Sequence, residues 1–239
     1  MATALKYKRL LVKLSGEQLA GERGGGVDAG LIAWIAKELK QTAETGAQIV
    51  LTVGGGNFMR GAKGSGGGLG RVTADFMGML GGVMNAIAVA DIFNANDLAA
   101  YALSPIKVEQ VIDYYTQRRA LHHLNKGRIV VIGGGTARPY FTHDTSAVSL
   151  ALELGCDVVC KTTKVDGVYD KDPVKFPDAV KFEHMSFQQA VEDDAIKVMD
   201  KAALGLAMEE HLPIIVCRLE AEGNIRRVAL GEAVGTLIS

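Results

Sequence analysis

Two apolar, β-branched runs, Gln48–Val53 (QIVLTV) and residues 128–132 (RIVVI), each pass without a break into three glycines, at positions 54–56 and 133–135. A strand that ends in consecutive glycines leaves a turn without Cβ atoms, so successive backbone N–H groups can converge on an anion at close range. A helix starting there adds the attraction of its positive end. Two such junctions predict two phosphate-bearing groups held close together. The alternative is that each is a tight turn or a point of close packing. The chain has 29 glycines in 239 residues, twelve of them within residues 54–82, whereas average usage gives about 17 in the whole chain.

Around the junctions, short β-branched runs alternate with longer periodic segments, the pattern of an α/β chain with a mainly parallel sheet and crossover helices. Arg9–Leu14 (RLLVKL) reads as a first strand. Asp28 is placed to cap a helix with Leu31, Ile32, Ile35, Ala36 and Leu39 on one face, ended by Gly46. A helix from about Thr73 is expected to bury a stripe of Phe76, Leu80, Val83, Met84 and Ile87. Residues 142–154 and 200–211 read as helices, and residues 157–160, 213–218 and 235–238 as strands. The Asp166-Gly167 pair predicts a tight hairpin turn. No low-complexity linker divides the chain, whose length suits one large α/β domain or two closely joined lobes.

With 26 Lys and Arg against 27 Asp and Glu, the net charge is −1. Non-specific nucleic-acid binding needs a broad basic field that this chain lacks, so any phosphate site is local. The N-terminal residues have no signal-peptide core, and residues 86–106, the nearest approach to a membrane span, are interrupted by Asp91 and Asp97. No membrane partner is expected. Cys156, Cys160 and Cys217 lack a Cys-x-x-Cys spacing, which argues against structural zinc or a disulfide framework and fits a reducing cytoplasm. His122 and His123 have no ligand-spaced partner and are expected at the surface.

Familiar phosphate motifs do not fit. A P-loop beginning at Gly56 would have Ala62 where its lysine belongs. Residues 24–29 satisfy Gly-x-Gly-x-x-Ala, but they lie about ten residues beyond the first strand instead of directly after it. The lysine that meets a transferred phosphate must come from elsewhere, and Lys13, inside the first apolar strand, is the candidate. A lysine there either snorkels or has an anionic partner.

Six stretches then carry a family likeness: residues 13–17 (KLSGE), 54–61 (GGGNFMRG), 75–80 (DFMGML), 141–144 (FTHD), 161–169 (KTTKVDGVY) with Asp172-Pro173, and 197–200 (KVMD). In this order and at these spacings they resemble the bacterial uridylate kinases, a branch of the amino acid kinase family, over essentially the whole chain. The resemblance implies a three-layer αβα sandwich formed by a single domain over residues 1–239, with an acceptor side at 1–155 and an ATP side at 156–239. It implies transfer of the γ-phosphoryl group of Mg-ATP to UMP, giving UDP and ADP, in pyrimidine nucleotide biosynthesis.

The same resemblance implies site residues. Lys13, Leu14, Ser15 and Gly16 would contact ATP phosphates and the transferred group, with Gly56 and Arg60 on the phosphoryl side. Gly55 would touch UMP, Asp75 its ribose, and Thr136, Ala137, Arg138, Pro139, Tyr140, Phe141, Thr142 and His143 would line its pocket. Thr163, Tyr169 and Asp172 would hold the adenosine part of ATP. Asp200 would organise Lys13 and its fellow cations, so the catalytic set is Lys13, Arg60 and Asp200. Mg²⁺ would be held through phosphates, with Asp144 as a possible ligand. Simpler roles stand beside these: Asp75, Asp144 and Asp200 as helix caps, Arg60 as a solvated charge, and Tyr169 as strand packing.

Members resembling this chain are homohexamers activated by GTP and inhibited by UTP. The effector positions fall here on Ala90, Asn94, Tyr101 and Gln117, with only Arg128 retained, so activation by GTP is not expected, whereas inhibition by UTP needs only the UMP pocket. Residues 61–70, rich in glycine, are expected to form a flap over the acceptor site. Two other readings are a phosphotransferase of the same family with another small acidic acceptor, and a non-catalytic oligomer that binds nucleotide or oxyanion.

Overall fold

The computed structural model describes residues 4–59, 68–193, 196 and 198–239. Arg60, the flap segment 61–67 and Lys197 lie outside the described residues. The central sheet has nine strands: β1 (Arg9–Leu14), β2 (Gln48–Val53), β3 (Ala100–Ser104), β4 (Asp113–Tyr114), β5 (Ile129–Gly133), β6 (Val158–Thr163), β9 (His184–Met185), β10 (Ile214–Arg218) and β11 (Thr236–Ile238). Their order is β4-β3-β5-β2-β1-β6-β10-β11-β9, parallel from β4 to β10, with β11 antiparallel to β10. A separate two-stranded ribbon pairs β7 (Val168–Tyr169) with β8 (Lys181–Phe182).

Strands buried on both faces read as continuous apolar runs, and alternation sends neighbouring side chains to opposite cores. Leu10, Val12 and Leu14 of β1 join one core with α2 (Ala29–Ala43), α3 (Arg71–Ala95) and α8 (Asn224–Leu230). Leu11 joins the other with α4 (Gln117–Asn125), α5 (His143–Glu153), α6 (Phe187–Glu192) and α7 (Lys201–Glu209). Lys13 shares the face of Leu11, the side on which α5 packs. A one-turn helix, α1 (Gly16–Leu19), follows β1 directly, capped by Ser15.

Several sequence expectations change. The long helix α3 buries Val83 but leaves Phe76, Leu80 and Met84 40, 44 and 47 % exposed. Its inward face mixes small residues, Ala74, Gly81, Gly82, Ala86 and Ala90, with Met79, Val83, Val89 and Phe93, all buried. A methyl group on Gly55 would run into the Gly78 carbonyl oxygen and lie 2.5 Å from the Gly82 nitrogen, and one on Gly133 would run into the Gly82 carbonyl oxygen. The strand-end glycines and the helix glycines are therefore matched surfaces that let backbone pack on backbone. Close packing, the alternative reading of the junctions, accounts for Gly55 and Gly133. The helix is long and apolar enough to cross a membrane by length and composition, and half of that apolar window is buried against the rest of the fold.

The Asp166-Gly167 pair makes no hairpin with β6. It leads the chain out of the main sheet into β7, which pairs with β8, and Asp166 accepts from Lys181 Nζ at 2.9 Å and from the Tyr169 hydroxyl. His123 is buried, not at the surface: its ring stacks on Tyr101 at 3.7 Å and meets Arg128 at 3.0 Å. The helix capped by Asp28 ends at Ala43, and Gly46 takes a positive φ in the turn beyond it.

Candidate active site

In the strand order, the chain runs outward from β1 to one side through β2 and later to the other side through β6. In open parallel sheets the crevice at the carboxyl end of such a reversal is where ligands bind. Here β1 ends in Lys13 and Leu14, β2 and β5 end in the glycine junctions, and α5 and α7 start above them.

Lys13 and Lys161 are register partners on β1 and β6. Both reach one carboxylate: Lys13 Nζ lies 3.1 Å from Asp144 Oδ1 and Lys161 Nζ 2.8 Å from Asp144 Oδ2, with all three side chains mostly buried. Lys161 also donates to the Val198 carbonyl. Lys13 thus has the anionic partner that its burial requires. Burial works to raise the Asp144 pKa, but Lys13 and then Lys161 prevail and hold it below the ordinary carboxylate value. Burial lowers the Lys161 pKa, with Asp144 opposing and Lys13 adding to the shift. Asp144 is not a helix cap. Thr142 caps α5, accepting from the Asp144 N–H, which frees the Asp144 carboxylate for the two lysines.

Asp200 caps α7 through the Ala203 N–H at 2.8 Å. The same carboxylate accepts from the hydroxyls of Thr142 and Thr145, the latter at 2.9 and 3.0 Å. It therefore ties the start of α7 to the start of α5, and its charge also favours the ammonium form of Lys161. The direct carboxylate partner of Lys13 is Asp144.

The first junction is braced from behind. A methyl group on Gly16 would lie 2.6 Å from Gly56 N and 2.8 Å from Gly54 O. The Leu14 side chain is in the core, so only its backbone faces this region, its carbonyl accepting from Gly54 N at 3.0 Å. Asn57 and Asn85 form a reciprocal amide pair at 3.0 and 2.7 Å, and Asn85 also donates to the Gly54 carbonyl at 2.6 Å. Lys13, Ser15, Gly16, Glu17, Gly54, Gly56, Thr142, His143 and Asp144 line a cleft of about 220 Å³. At the second junction Gly134 and Gly135 have φ of 100° and 60°, values open to glycine at little cost.

On one flank of the cleft, Asp75 accepts from Tyr140 N at 2.9 Å and holds Arg71 through two contacts of 2.9 Å. Asp75 lies in the second turn of α3 and caps nothing. Thr136 Oγ1 accepts from Arg138 N at 3.2 Å, and Ala137 and Tyr140 adopt positive φ, so residues 136–143 wrap tightly. Tyr140 and Phe141 are exposed, and the Arg71 guanidinium lies over the Tyr140 ring at 5.2 Å. On the other flank, Lys161, Thr163, Gly167, Tyr169, Asp172, Pro173 and Val198 line a second cavity of about 410 Å³. Lys161 belongs to this cavity and Asp144 to the first, so their ion pair joins the two.

Of the expected residues, Lys13, Ser15, Gly16, Gly56, Thr142, His143 and Asp144 line the first cavity and Thr163, Tyr169 and Asp172 the second, whereas Leu14, Gly55, Asp75, residues 136–141 and Asp200 line neither and Arg60 lies outside the described residues. Sequence reasoning missed Lys161, Asn57, Asn85, Arg71 and Thr145. Lys161 carried a readable signal, a second lysine directly after an apolar run, Val158–Cys160, within a strand. The asparagine pair carried none, because its partners are 28 residues apart and meet only through the α3 packing.

A family model described as amino acid kinase family matches residues 8–218. Among solved structures, the chain is similar to a UMP kinase from Bacillus anthracis at 35% identity and TM-score 0.92, covering 98% of this chain and 96% of that one. It is similar to a UMP kinase from Ureaplasma parvum at 27% identity and TM-score 0.89, covering 98% and 100%. A uridylate kinase from Archaeoglobus fulgidus matches at 27% identity and TM-score 0.74, covering 96% and 99%.

Proposed function

From the premise that this chain belongs to the amino acid kinase family, we propose that it is a UMP kinase, transferring the γ-phosphoryl group of ATP to UMP to give UDP and ADP. The observation that carries this reading is the pair of cavities joined at Lys13, Asp144 and Lys161, in a chain similar over nearly its whole length to enzymes of that activity.

Phosphoryl transfer is mainly positioning and charge neutralisation. A UMP phosphate oxygen attacks the γ-phosphorus while the bond from that phosphorus to the β–γ bridging oxygen breaks, and ADP leaves. The second pKa of the acceptor monoester is about 6, so it is already largely ionised at neutral pH and needs no general base. The cavity holding Thr163, Tyr169 and Asp172 would take the adenosine part of ATP. Lys13 and Lys161 would face the transferred group, with Ser15, Gly16 and Gly56 beside it and Arg60 as a further cation. Gly55, Asp75 and residues 136–143 would hold UMP. Asp144, one of the two carboxylates that line the cleft, Glu17 being the other, would hold Mg²⁺, since this cation needs few protein ligands when phosphates supply oxygens. Mg²⁺ bound there would add charge neutralisation.

A single domain with an acceptor side over residues 1–155 and an ATP side over 156–239 is consistent with the continuous sheet through both cavities. Inhibition by UTP follows from the same acceptor pocket. Activation by GTP is not part of this reading. Ala90, Asn94 and Tyr101 line a groove that also presents Asp91, Glu109 and Asp113, which repel a triphosphate. Val72, Phe76, Leu80 and Met84 recur every fourth residue on the exposed face of α3, so they form one stripe of the kind that docks a second copy, as a homohexamer would require. The buried free cysteines suit the cytoplasm.

An acceptor panel tests the assignment. With Mg-ATP, UMP is phosphorylated much faster than CMP or AMP; equal rates on all three remove the uridylate assignment.

A further inference from the structure

Residues 15–18 read Ser-Gly-Glu-Gln, the spacing of a capping box, in which a serine and a glutamine three residues on close the start of a helix on each other. The box forms at α1: Ser15 Oγ accepts from the Gln18 N–H at 3.3 Å, and Gln18 Oε1 accepts from the Ser15 N–H at 2.9 Å. Two further donors reach the same oxygen, the Ser15 hydroxyl at 3.1 Å and the Thr162 hydroxyl of β6 at 3.3 Å. The Thr162 hydroxyl also donates to the Lys13 carbonyl at 2.9 Å. One amide oxygen therefore ties the turn that leaves β1 to the neighbouring strand.

Gln18 and Thr162 are both buried, and Gln18 Nε2 has no hydrogen-bond partner among the described residues. The Ser15 N–H can only donate, so the amide must present its oxygen there and turn its nitrogen away. An unsatisfied buried donor costs free energy that an apolar side chain of similar size would not. A one-turn helix adds little stability by itself, so what the amide supplies against that cost is the placement of its three donors. Gln18 lines neither cavity, but both ends of its network do: Lys13 and Ser15 line the first, and Thr162 stands between Lys161 and Thr163, which line the second.

We propose that Gln18 is a positioning residue for phosphoryl transfer. It holds the Ser15 turn and, through Thr162, the Lys13 end of β1 in place against Lys161 on β6, where the two cavities adjoin and the γ-phosphoryl group passes. It acts through Ser15 and Thr162 and touches neither nucleotide. This deepens the UMP kinase reading and rests on it for the identity of the acceptor.

The test compares wild type with Gln18→Leu, Gln18→Glu and Thr162→Val by steady-state kinetics with Mg-ATP and UMP, and by calorimetric titration with UMP, ADP and a non-hydrolysable ATP analogue. Folded Gln18→Leu has kcat lower by about tenfold and binds the ATP analogue about fivefold more weakly, with UMP and ADP affinities within about twofold, the pattern of a slightly misplaced group facing the γ-phosphate. Gln18→Glu keeps the acceptor of the box and recovers most of the turnover. Thr162→Val lowers kcat in the same sense, and the double variant loses less than the product of the two single losses, because both act in one network. A lower melting temperature with kcat and analogue affinity unchanged is a merely structural role and overturns the proposal. So do equal losses of UMP and analogue affinity, no recovery in Gln18→Glu, or independent effects of Gln18→Leu and Thr162→Val. If Gln18→Leu does not fold, Thr162→Val decides: lower turnover with UMP affinity kept supports the proposal, and unchanged turnover overturns it. If wild type leaves UMP unphosphorylated, the uridylate assignment fails and the titrations decide the role of Gln18: analogue affinity lost with ADP affinity kept supports it, and both kept overturns it.

Discussion

Lys13 and Lys161 occupy paired positions on adjacent parallel strands, and the single carboxylate of Asp144 holds both ammonium groups, at 3.1 and 2.8 Å. Three buried charges in one cluster are stable only while each is compensated. Asp144→Asn keeps the shape and removes the anion, leaving two like charges facing each other. Breaking a buried ion pair from one side costs about 3–5 kcal/mol, so chemical denaturation should show a loss of that order. A loss under about 1 kcal/mol would mean that the lysines reach solvent instead.

The matched glycines give a second prediction. Gly55→Ala and Gly133→Ala place a methyl group against the α3 backbone, so both should destabilise strongly, by more than the roughly 1–3 kcal/mol of an ordinary overpacked core. Gly205 in the interior of α7 has open space around its Cα. Gly205→Ala should therefore stabilise by about 0.5–1 kcal/mol through helix propensity. Thermal melting of the three variants checks the contrast.

Stability should fall in mild acid, and the sign follows from His143. Burial, and next the Lys13 charge, hold its pKa at about 4, against an ordinary value of 6.5. The unfolded chain takes up the proton first, so the contribution is complete above pH 6.5 and is lost as pH falls from 6.5 toward 4, by up to about 3 kcal/mol. Burial of His123 lowers its pKa and acts in the same direction. His143→Gln should flatten the curve of melting temperature against pH in that window; an unchanged curve would contradict the assignment.

The exposed stripe on α3 predicts a surface effect without a folding effect. Leu80→Lys, at a position 44 % exposed, should leave the melting curve of the isolated chain nearly unchanged, within about 0.5 kcal/mol. It should shift sedimentation toward smaller species. Unaltered sedimentation would place the contact between copies elsewhere.

These residues also mark how far the sequence could be read. Arg9–Leu14 and Gln48–Val53 were legible because strands buried on both faces are continuous apolar runs. Lys13 stood out because it interrupts one of them. Phe76 and Leu80 misled because the buried face of α3 runs through Gly81, Gly82 and Ala86, where backbone approaches backbone, and on to Val89 and Phe93, leaving the Phe76 and Leu80 stripe outward. Asp144 looked like a cap by position, and only the structure brings it to Lys13 and Lys161, 131 and 17 residues away along the chain. Residues 136–143 were assigned to the acceptor pocket through resemblance alone, and the hold of Asp75 on Tyr140 N depends on a contact across 65 residues.

The most direct measurement follows both substrates and both products by phosphorus NMR in one tube of Mg-ATP, UMP and protein. The account predicts ADP and UDP in equal amounts from wild type, and turnover lower by orders of magnitude from folded Lys13→Ala. ADP with free inorganic phosphate and intact UMP, or undiminished UDP formation by Lys13→Ala, would contradict it.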